Sequence, residues 1–240
     1  MPPPARVEAL TFDFWNTIIA ESGASADHRA DQWTAILNTA GHPVDQVVME
    51  RAMTDLWSWF NAEWEGLRLV TPDMAITRIL ELMELAVDPK LLDAMVETLH
   101  DGRDPAEMTT AEGIGDALET LRSAGVRLGI ICDVGFTPSS TLRRYLDHHG
   151  LLAHFDGWSF SDEVGCYKPA TEIFTHARES LGVSGPMAHV GDLRRTDIAG
   201  ARGVGWRSIR YRGFYDDPSD LPDADVVIER HAELSSALEI

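Results

Sequence analysis

Asp13 ends the apolar, β-favouring stretch Val7-Glu8-Ala9-Leu10-Thr11-Phe12, and the polar pair Asn16-Thr17 follows it closely. Such a carboxylate is delivered to the carboxyl end of a buried strand, where open α/β sheets place their chemistry. It is there either a charged nucleophile or, more plainly, a turn or helix cap. Asp192 repeats the arrangement behind the apolar run 187–190 and Gly191, and a further acid, Asp197, stands five residues on. Asp197 has its own ordinary reading, as an acid at a helix start favoured by the macrodipole. Lys168 precedes both, in Gly165-Cys166-Tyr167-Lys168-Pro169. The chain holds only two lysines, Lys90 and Lys168, so one placed in such a setting is hard to read as surface decoration. A point-charge ammonium suits two converging anions.

The elements that must position these residues are strand-like runs at 7–12, 126–132, 187–190, 206–211 and 225–228. Helical patterns at 111–124, 139–149, 171–181 and 196–202 alternate with them, and Gly125 and Gly182 sit where helices should stop. This alternation predicts an α/β, Rossmann-like open sheet, mostly parallel. Residues 23–103 behave differently. They show no convincing strand but helical periodicity at 30–40, 44–64, 74–86 and 91–100, punctuated by Gly41-His42-Pro43 and Asp88-Pro89. The expected organisation is a core of 1–21 and 105–240 with an all-helical domain of 22–104 inserted after the first strand. Trp33, Trp57, Trp59, Phe60 and Trp64 concentrate aromatic area in that block, as its own packing or as a wall facing a ligand. Trp57 and Trp59 fall on different helix faces, so at least one is expected not to pack inward.

A chain of 240 residues with 44% hydrophobic content suits a packed core with a modest insert. Its formal charge of −19 argues against nucleic acid or an anionic membrane as partner, because both are polyanions. A small phosphorylated molecule is still compatible, since one local cationic site and a metal outweigh a remote field. Cys132 and Cys166 form no disulfide framework or metal signature. Met1-Pro2-Pro3-Pro4-Ala5 lacks the basic head and apolar stretch of a secretory signal, so a cytoplasmic setting is the expectation.

Taken together, Asp13-Phe14-Trp15-Asn16-Thr17, Cys132-Asp133, Lys168-Pro169 and Gly191-Asp192…Asp197 resemble, in order, the four motifs of the haloacid dehalogenase (HAD) superfamily. The resemblance covers nearly the whole chain. It implies that Asp13 is a nucleophile forming a covalent aspartyl intermediate and that Lys168 pairs with it and with a transferring phosphoryl group. It also implies that Mg²⁺ is held by Asp13, the backbone carbonyl of Trp15, Asp192 and Asp197, a hard-oxygen set. The inserted helical domain would be a cap that opens and closes over the site. The family usually has Ser or Thr where Cys132 stands, to bond phosphate. A thiol is a poorer donor, so the backbone amides of Asp133 and Val134 would carry more of that contact, or Cys132 is simply a buried strand-end residue.

One position departs from the phosphatase pattern. Two residues after the nucleophile such enzymes carry a second aspartate that protonates the leaving alcohol; here Trp15 stands there. Acid–base help is worth roughly 10²–10⁴ in rate. Either the leaving group departs unprotonated, as from acyl or aryl phosphates, or Glu21, Asp27 or His28 substitutes, or the aspartyl intermediate turns over slowly. The resemblance therefore implies a Mg²⁺-dependent phosphatase acting on a small phosphate ester or acyl phosphate. A metal-independent 2-haloacid dehalogenase and a non-catalytic or phosphotransfer module are the alternatives. The phosphonate-cleaving branch needs a cap lysine, and Lys90, beside Asp88-Pro89, reads instead as an exposed helix-start residue.

Overall fold

Strands buried on both faces read as near-continuous apolar runs, and such runs build the centre of this protein. The computed structural model describes residues 7–21 and 28–240. Residues 1–6 and 22–27, with the acid candidate Asp27, lie outside the described residues. In chain order, β1 (Ala9–Phe12) and β2 (Ile19–Glu21) precede the helices α1 (His28–Thr39), α2 (Gln46–Glu65), α3 (Pro72–Leu82) and α4 (Pro89–Asp101). Then come β3 (Met108–Thr110), α5 (Ile114–Ser123), β4 (Arg127–Cys132), α6 (Ser139–His148), β5 (Gly157–Phe160), α7 (Ser161–Val164) and α8 (Thr171–Leu181). After β6 (Met187–Gly191) and a π-helical turn (Arg194–Ile198) follow α9 (Ala199–Gly203), β7 (Arg207–Tyr211), β8 (Val226–Ile228) and α10 (Leu234–Leu238).

Six strands form one parallel sheet in the order β5-β4-β1-β6-β7-β8. This is the expected Rossmann-like α/β architecture. β1 lies between β4 and β6, with Phe12 opposite Ile130 on one side and Val190 on the other. The carboxyl ends of these three neighbours therefore open onto one crevice, the position at which such sheets bind ligands. Alternation along β1 divides the packing. Leu10 and Phe12 join Leu128, Ile130 and Val190 on one face. Ala9 joins Ile131, Met187, Ile173 and Phe174 on the other, under α8.

The helical block carries a core of its own. Met49, Met53, Leu56 and Phe60 mark the buried face of α2 at helical spacing and meet Trp33, Leu37, Ile76 and Met95. Its helices begin where capping chemistry dictates. Asp45 accepts from Val47 N, Thr71 from Met74 N, and Asp88 from the amides of Lys90 and Leu91. Pro72 and Pro89 stand in the first turns, where no amide is missed. Lys90 is exposed there, as its sequence setting predicts.

Several elements differ from the expectation. β5 was not foreseen, because Gly-Trp-Ser-Phe lacks an apolar run and pairs only with β4 at the sheet edge. Gly157 is required there: a Cβ on it would stand 2.8 Å from Cγ of Leu181, which presses down from α8. β2 and β3, each three residues long, pair antiparallel where the chain leaves and re-enters the core, also unforeseen. α5 starts at Ile114 rather than 111, behind Gly113 in a left-handed conformation. The expected helix at 196–202 is instead the π-helical turn running into α9. No described helix is long and apolar enough to cross a membrane.

Candidate active site

Asp13 emerges directly from β1, its amide tied to the Val190 carbonyl of β6 at 2.8 Å. The chain then doubles back in a tight turn, with Asn16 N donating to Ile19 O and Ile18 N to Phe14 O. Asn16 takes a positive φ of 55°, a conformation asparagine tolerates better than most residues. Thr17 Oγ1 donates to Asp13 Oδ2 at 3.4 Å, and His231 Nε2 donates to the Thr17 carbonyl at 2.7 Å, fixing the turn from the far side.

Lys168 reaches this carboxylate from the loop before α8. Its Nζ lies 2.5 Å from Asp13 Oδ1, 2.6 Å from Asp197 Oδ1 and 3.3 Å from the Ile131 carbonyl. It is 2% exposed, so this ammonium is held out of bulk water between two carboxylates. Asp197 is clamped on all sides. Oδ1 also accepts from His189 Nε2 at 3.1 Å, and Oδ2 from Leu193 N at 3.0 Å and Thr196 Oγ1 at 3.3 Å. Behind it, His189 Nδ1 lies 2.9 Å from Thr11 Oγ1. The π-helical turn follows from this: Asp197 folds back onto the chain that precedes it, and both Asp197 N and Ile198 N donate to Leu193 O.

Asp13, Asp192 and Asp197 each present an oxygen within 4.8 Å of the others. Three acids separated by up to 184 positions are thus brought to one point, with a single ammonium among them. Burial pushes the Asp13 carboxyl up to about 7, against the pull of Lys168 and with help from Asp197. Asp192 rises to about 9 through burial and its two acidic neighbours. Burial would raise Asp197 too, but Lys168 and His189 outweigh it and hold that carboxyl well below the usual range. Burial would lower the Lys168 ammonium, and the surrounding carboxylates instead raise it well above the ordinary value. Such a cluster fits a divalent cation. Its hard oxygens are the donors Mg²⁺ prefers, and two positive charges would offset the excess of carboxylates over ammonium.

The loop after β4 departs from the simplest expectation. The Cys132 thiol is fully buried among the core residues beneath the sheet end, and burial pushes it well above its usual value. Val134 N donates to Ser161 Oγ at 2.9 Å, so that amide already has a partner. The Asp133 side chain is a structural bridge: Oδ1 accepts from Lys168 N at 2.8 Å and Oδ2 from Trp64 Nε1 at 2.9 Å. Trp64 belongs to α2, and Arg195 stacks over its ring at 4.1 Å from the core side. A second tie between the same regions, Val70 N to Tyr167 Oη at 3.2 Å, ends one residue from Lys168. The helical block thus touches the core on both sides of the lysine loop. These ties, His189 and Thr11 were not foreseen; a histidine within the apolar run 187–190 was the one available signal.

Above the carboxylates lies a cavity of about 600 Å³, within the range of small-molecule sites. Asp13, Lys168, Asp192 and Asp197 form its floor end. Trp15 lines it half-buried, its ring 5.0 Å from that of Phe14 and 6.4 Å from that of Tyr145. The block's aromatic residues divide. Trp33 is fully buried with its indole N–H satisfied by Thr98, whereas Trp57, Phe60 and Trp64 line the cavity. Of the substitute acids, Glu21 lines it too, ion-paired with Arg103 at 3.0 Å, and His28 opens α1.

Known proteins are similar to this chain in sequence and fold. A mouse protein, haloacid dehalogenase-like hydrolase domain-containing protein 3, is 30% identical over 146 residues, 60% of this chain and 56% of its own. Protein CbbY of Cereibacter sphaeroides is 27% identical over 128 residues, 53% of this chain and 56% of that protein. The matched stretch thus spans little more than half the length of these relatives. Among solved structures, a HAD phosphatase from Thermococcus onnurineus superposes with a TM-score of 0.65 at 23% identity, covering 97% of this chain and 98% of that one. A 2-haloacid dehalogenase from Pseudomonas syringae pv. Tomato DC3000 gives 0.69 at 22%, with coverage of 97% and 98%. At such identities the likeness is one of fold. A profile of the haloacid dehalogenase-like hydrolases matches residues 7–205, and with the parallel sheet and the Asp13–Lys168–Asp197 constellation in place, the chain belongs to that family of hydrolases.

Proposed function

We propose that this protein is a Mg²⁺-dependent phosphatase that hydrolyses a small phosphate ester or acyl phosphate through an aspartyl-phosphate at Asp13. The observation that carries this reading is the convergence of Asp13, Asp192 and Asp197 within 4.8 Å, beside a buried ammonium. A carboxylate is a weak nucleophile, and attack on phosphorus needs charge neutralisation and in-line placement. Asp13 is held by Lys168, Thr17 and the sheet end, so its lone pair is oriented before substrate arrives. As the Asp13 oxygen–phosphorus bond forms, the bond to the leaving oxygen breaks and that oxygen departs with its electron pair. Lys168 offsets charge on the attacking carboxylate and the transferring group. Bound at Asp13, Asp192 and the Trp15 carbonyl, with Asp197 beside them, Mg²⁺ would supply further charge neutralisation on the phosphoryl oxygens. Water then attacks the phosphorus of the aspartyl-phosphate, the Asp13 oxygen–phosphorus bond breaks with its electron pair returning to the carboxylate, and inorganic phosphate leaves carrying the water's protons.

On the loop after β4, the Asp133 amide is the remaining phosphate contact, since Val134 N is engaged and the Cys132 thiol faces the core. Residues 22–104 act as the cap that closes the cavity. Trp15 has no proton to give, and the neighbouring Glu21 carboxylate is held by Arg103. The favoured substrates are therefore those whose leaving group departs unprotonated.

A second reading, a metal-independent dehalogenase, is supported by two features: the Lys168 ammonium itself bridges Asp13 and Asp197, and Trp15 puts an aromatic ring into the same cavity as the nucleophile. Assays of p-nitrophenyl phosphate, acetyl phosphate and 2-chloropropionate, each with and without EDTA, separate the two. Chelator-sensitive phosphate release is expected; chloride release indifferent to EDTA selects the dehalogenase, and silence on all three rejects both.

A further inference from the structure

Trp64 sits where three loops of the core meet. Its indole Nε1 donates to Asp133 Oδ2 at 2.9 Å, on the loop after β4. The other oxygen of that carboxylate accepts from Lys168 N at 2.8 Å, on the loop before α8. Over the Trp64 ring, 4.1 Å from its centroid, lies the guanidinium of Arg195, from the π-helical turn that also carries Asp197. Asp197 in turn grips Lys168 Nζ at 2.6 Å and so closes the ring of contacts. Trp64 alone of these residues comes from the helical block. Val70 N, bonded to Tyr167 Oη at 3.2 Å, brings the same stretch of the block against the lysine loop a second time.

Arg195 Nη2 is buried and has no hydrogen-bond partner among the described residues. A buried donor without an acceptor is unfavourable, and the face of an indole is the aromatic surface that attracts a cation most strongly. The stack on Trp64 is what holds this end of Arg195, and it exists only while the block lies against the core. Lys168 needs such support for a reason of mechanism. Once Asp13 has given an oxygen to phosphorus, the carboxylate charge that held Nζ is gone, and the backbone tie to Asp133 keeps the loop where it was. Resting on the phosphatase reading, we propose that Arg195 and Trp64 are positioning residues: as the block closes, the indole seats between Arg195 and Asp133 and thereby fixes the Lys168 loop against the nucleophile. Closure over a substrate and completion of the charge-neutralising group are then one event.

The scarcity of lysine makes this loop directly readable. Protein labelled with ¹⁵N-lysine gives two backbone amide signals, Lys168 and Lys90. Lys90, whose amide donates to Asp88 Oδ1 at 2.9 Å at the start of α4, is the internal reference. In Arg195→Met the Lys168 amide should exchange with deuterium at least about tenfold faster than in wild type, the weight of one desolvated cation–aromatic contact. Its proton signal should also move upfield as the bond to the Asp133 carboxylate loosens. Lys90 should not change, and Arg195→Lys, which keeps a cation, should recover most of the protection. A merely structural loss of stability would leave the Lys168 signal of the folded protein in place. In a Trp64→Leu background, Arg195→Met should add less than about twofold, because the ring it acts through is gone. An unmoved Lys168 signal in Arg195→Met, or effects of the two substitutions that simply multiply, overturns the proposal. Should Arg195→Met fail to fold, Trp64→Phe decides alone: it keeps a ring under Arg195 but lacks the N–H, and a silent Lys168 signal there is equally fatal. Phosphate release from p-nitrophenyl phosphate is scored separately. Release with an unresponsive Lys168 signal rejects the positioning role and leaves the phosphatase; a responsive signal without release rejects the phosphatase and leaves the positioning role.

Discussion

Gly191 provides the sharpest test of how the site is built. A Cβ at this position would stand 2.3 Å from Cγ, 2.6 Å from Cβ and 2.7 Å from Oδ1 of Asp197. Non-bonded carbons settle about 3.5–4.0 Å apart, so in Gly191→Ala the Asp197 side chain must retreat by roughly 1 Å. The 2.6 Å contact to Lys168 would then open past hydrogen-bonding range, and the bonds from Leu193 N and His189 would lengthen with it. Overpacking a tight interior costs about 1–3 kcal/mol, and disturbing a buried ion pair adds to that. A loss of roughly 3 kcal/mol corresponds to a fall in Tm of about 6–12 °C for a chain of this size. Thermal unfolding followed by circular dichroism, with calorimetric titration of Mg²⁺, reads both consequences. Gly203→Ala is the control, since nothing lies within 4 Å of its built Cβ and it ends α9. If Gly191→Ala melts with the parent protein and binds Mg²⁺ equally well, the account of Asp197 as a residue filling the space a glycine leaves is refuted.

Further expectations concern the cation, the cap and a buried histidine. Mg²⁺ at a hundred times its dissociation constant should stabilise the protein by about 2.7 kcal/mol, and Asp192→Asn should abolish most of that shift in a thermal melt; an unchanged shift places the ion elsewhere. Trp64→Phe removes the indole bond to Asp133 and should lower kcat/KM about tenfold on whichever assay substrate is turned over, a bond to a charged acceptor being worth about 1.5–3 kcal/mol. Undiminished kcat/KM would mean the tie does not support the lysine loop. His231 donates from Nε2 to Thr17, and its Nδ1 has no partner among the described residues, so burial lowers its pKa to about 4. Below the unfolded value of about 6.5 the unfolded chain takes up a proton that the native state refuses. Stability should therefore fall as pH drops from about 6.5 toward 4, by up to about 3 kcal/mol. Urea unfolding of wild type and His231→Phe across this range tests it, with the difference between the curves cancelling the carboxylates. A difference independent of pH counts against the assignment.

Much was legible before any coordinates because strand ends carry their own mark. A run such as 187–190 must be apolar to lie inside a parallel sheet, and the polar residue that stops it must stand at the crevice. Asp13 and Asp192 could thus be singled out in the chain, Lys168 stood out because only one other lysine exists, and the alternating pattern implied the sheet that would gather them. The helical block was equally plain in its periodicity and in the Asp88-Pro89 start of α4, whereas the Thr71-Pro72 start of α3 went unread. β5 was hidden because Gly157 exists to admit Leu181, a demand made by another element and invisible locally.

Residue types and local period therefore determined the class of fold, the order of its principal strands and helices apart from β2, β3 and β5, and the identity of the principal charged groups. Tertiary structure alone decided which oxygens Lys168 bridges, that Val134 N and the Cys132 thiol are committed elsewhere, and that Trp57, Phe60 and Arg29 share a wall with Phe136 and Thr137. The physical reason is range. Periodicity and turn chemistry act over a few residues, whereas Arg29 meets Thr137 across 108 positions and Lys168 meets Asp13 across 155, contacts set by how whole elements pack.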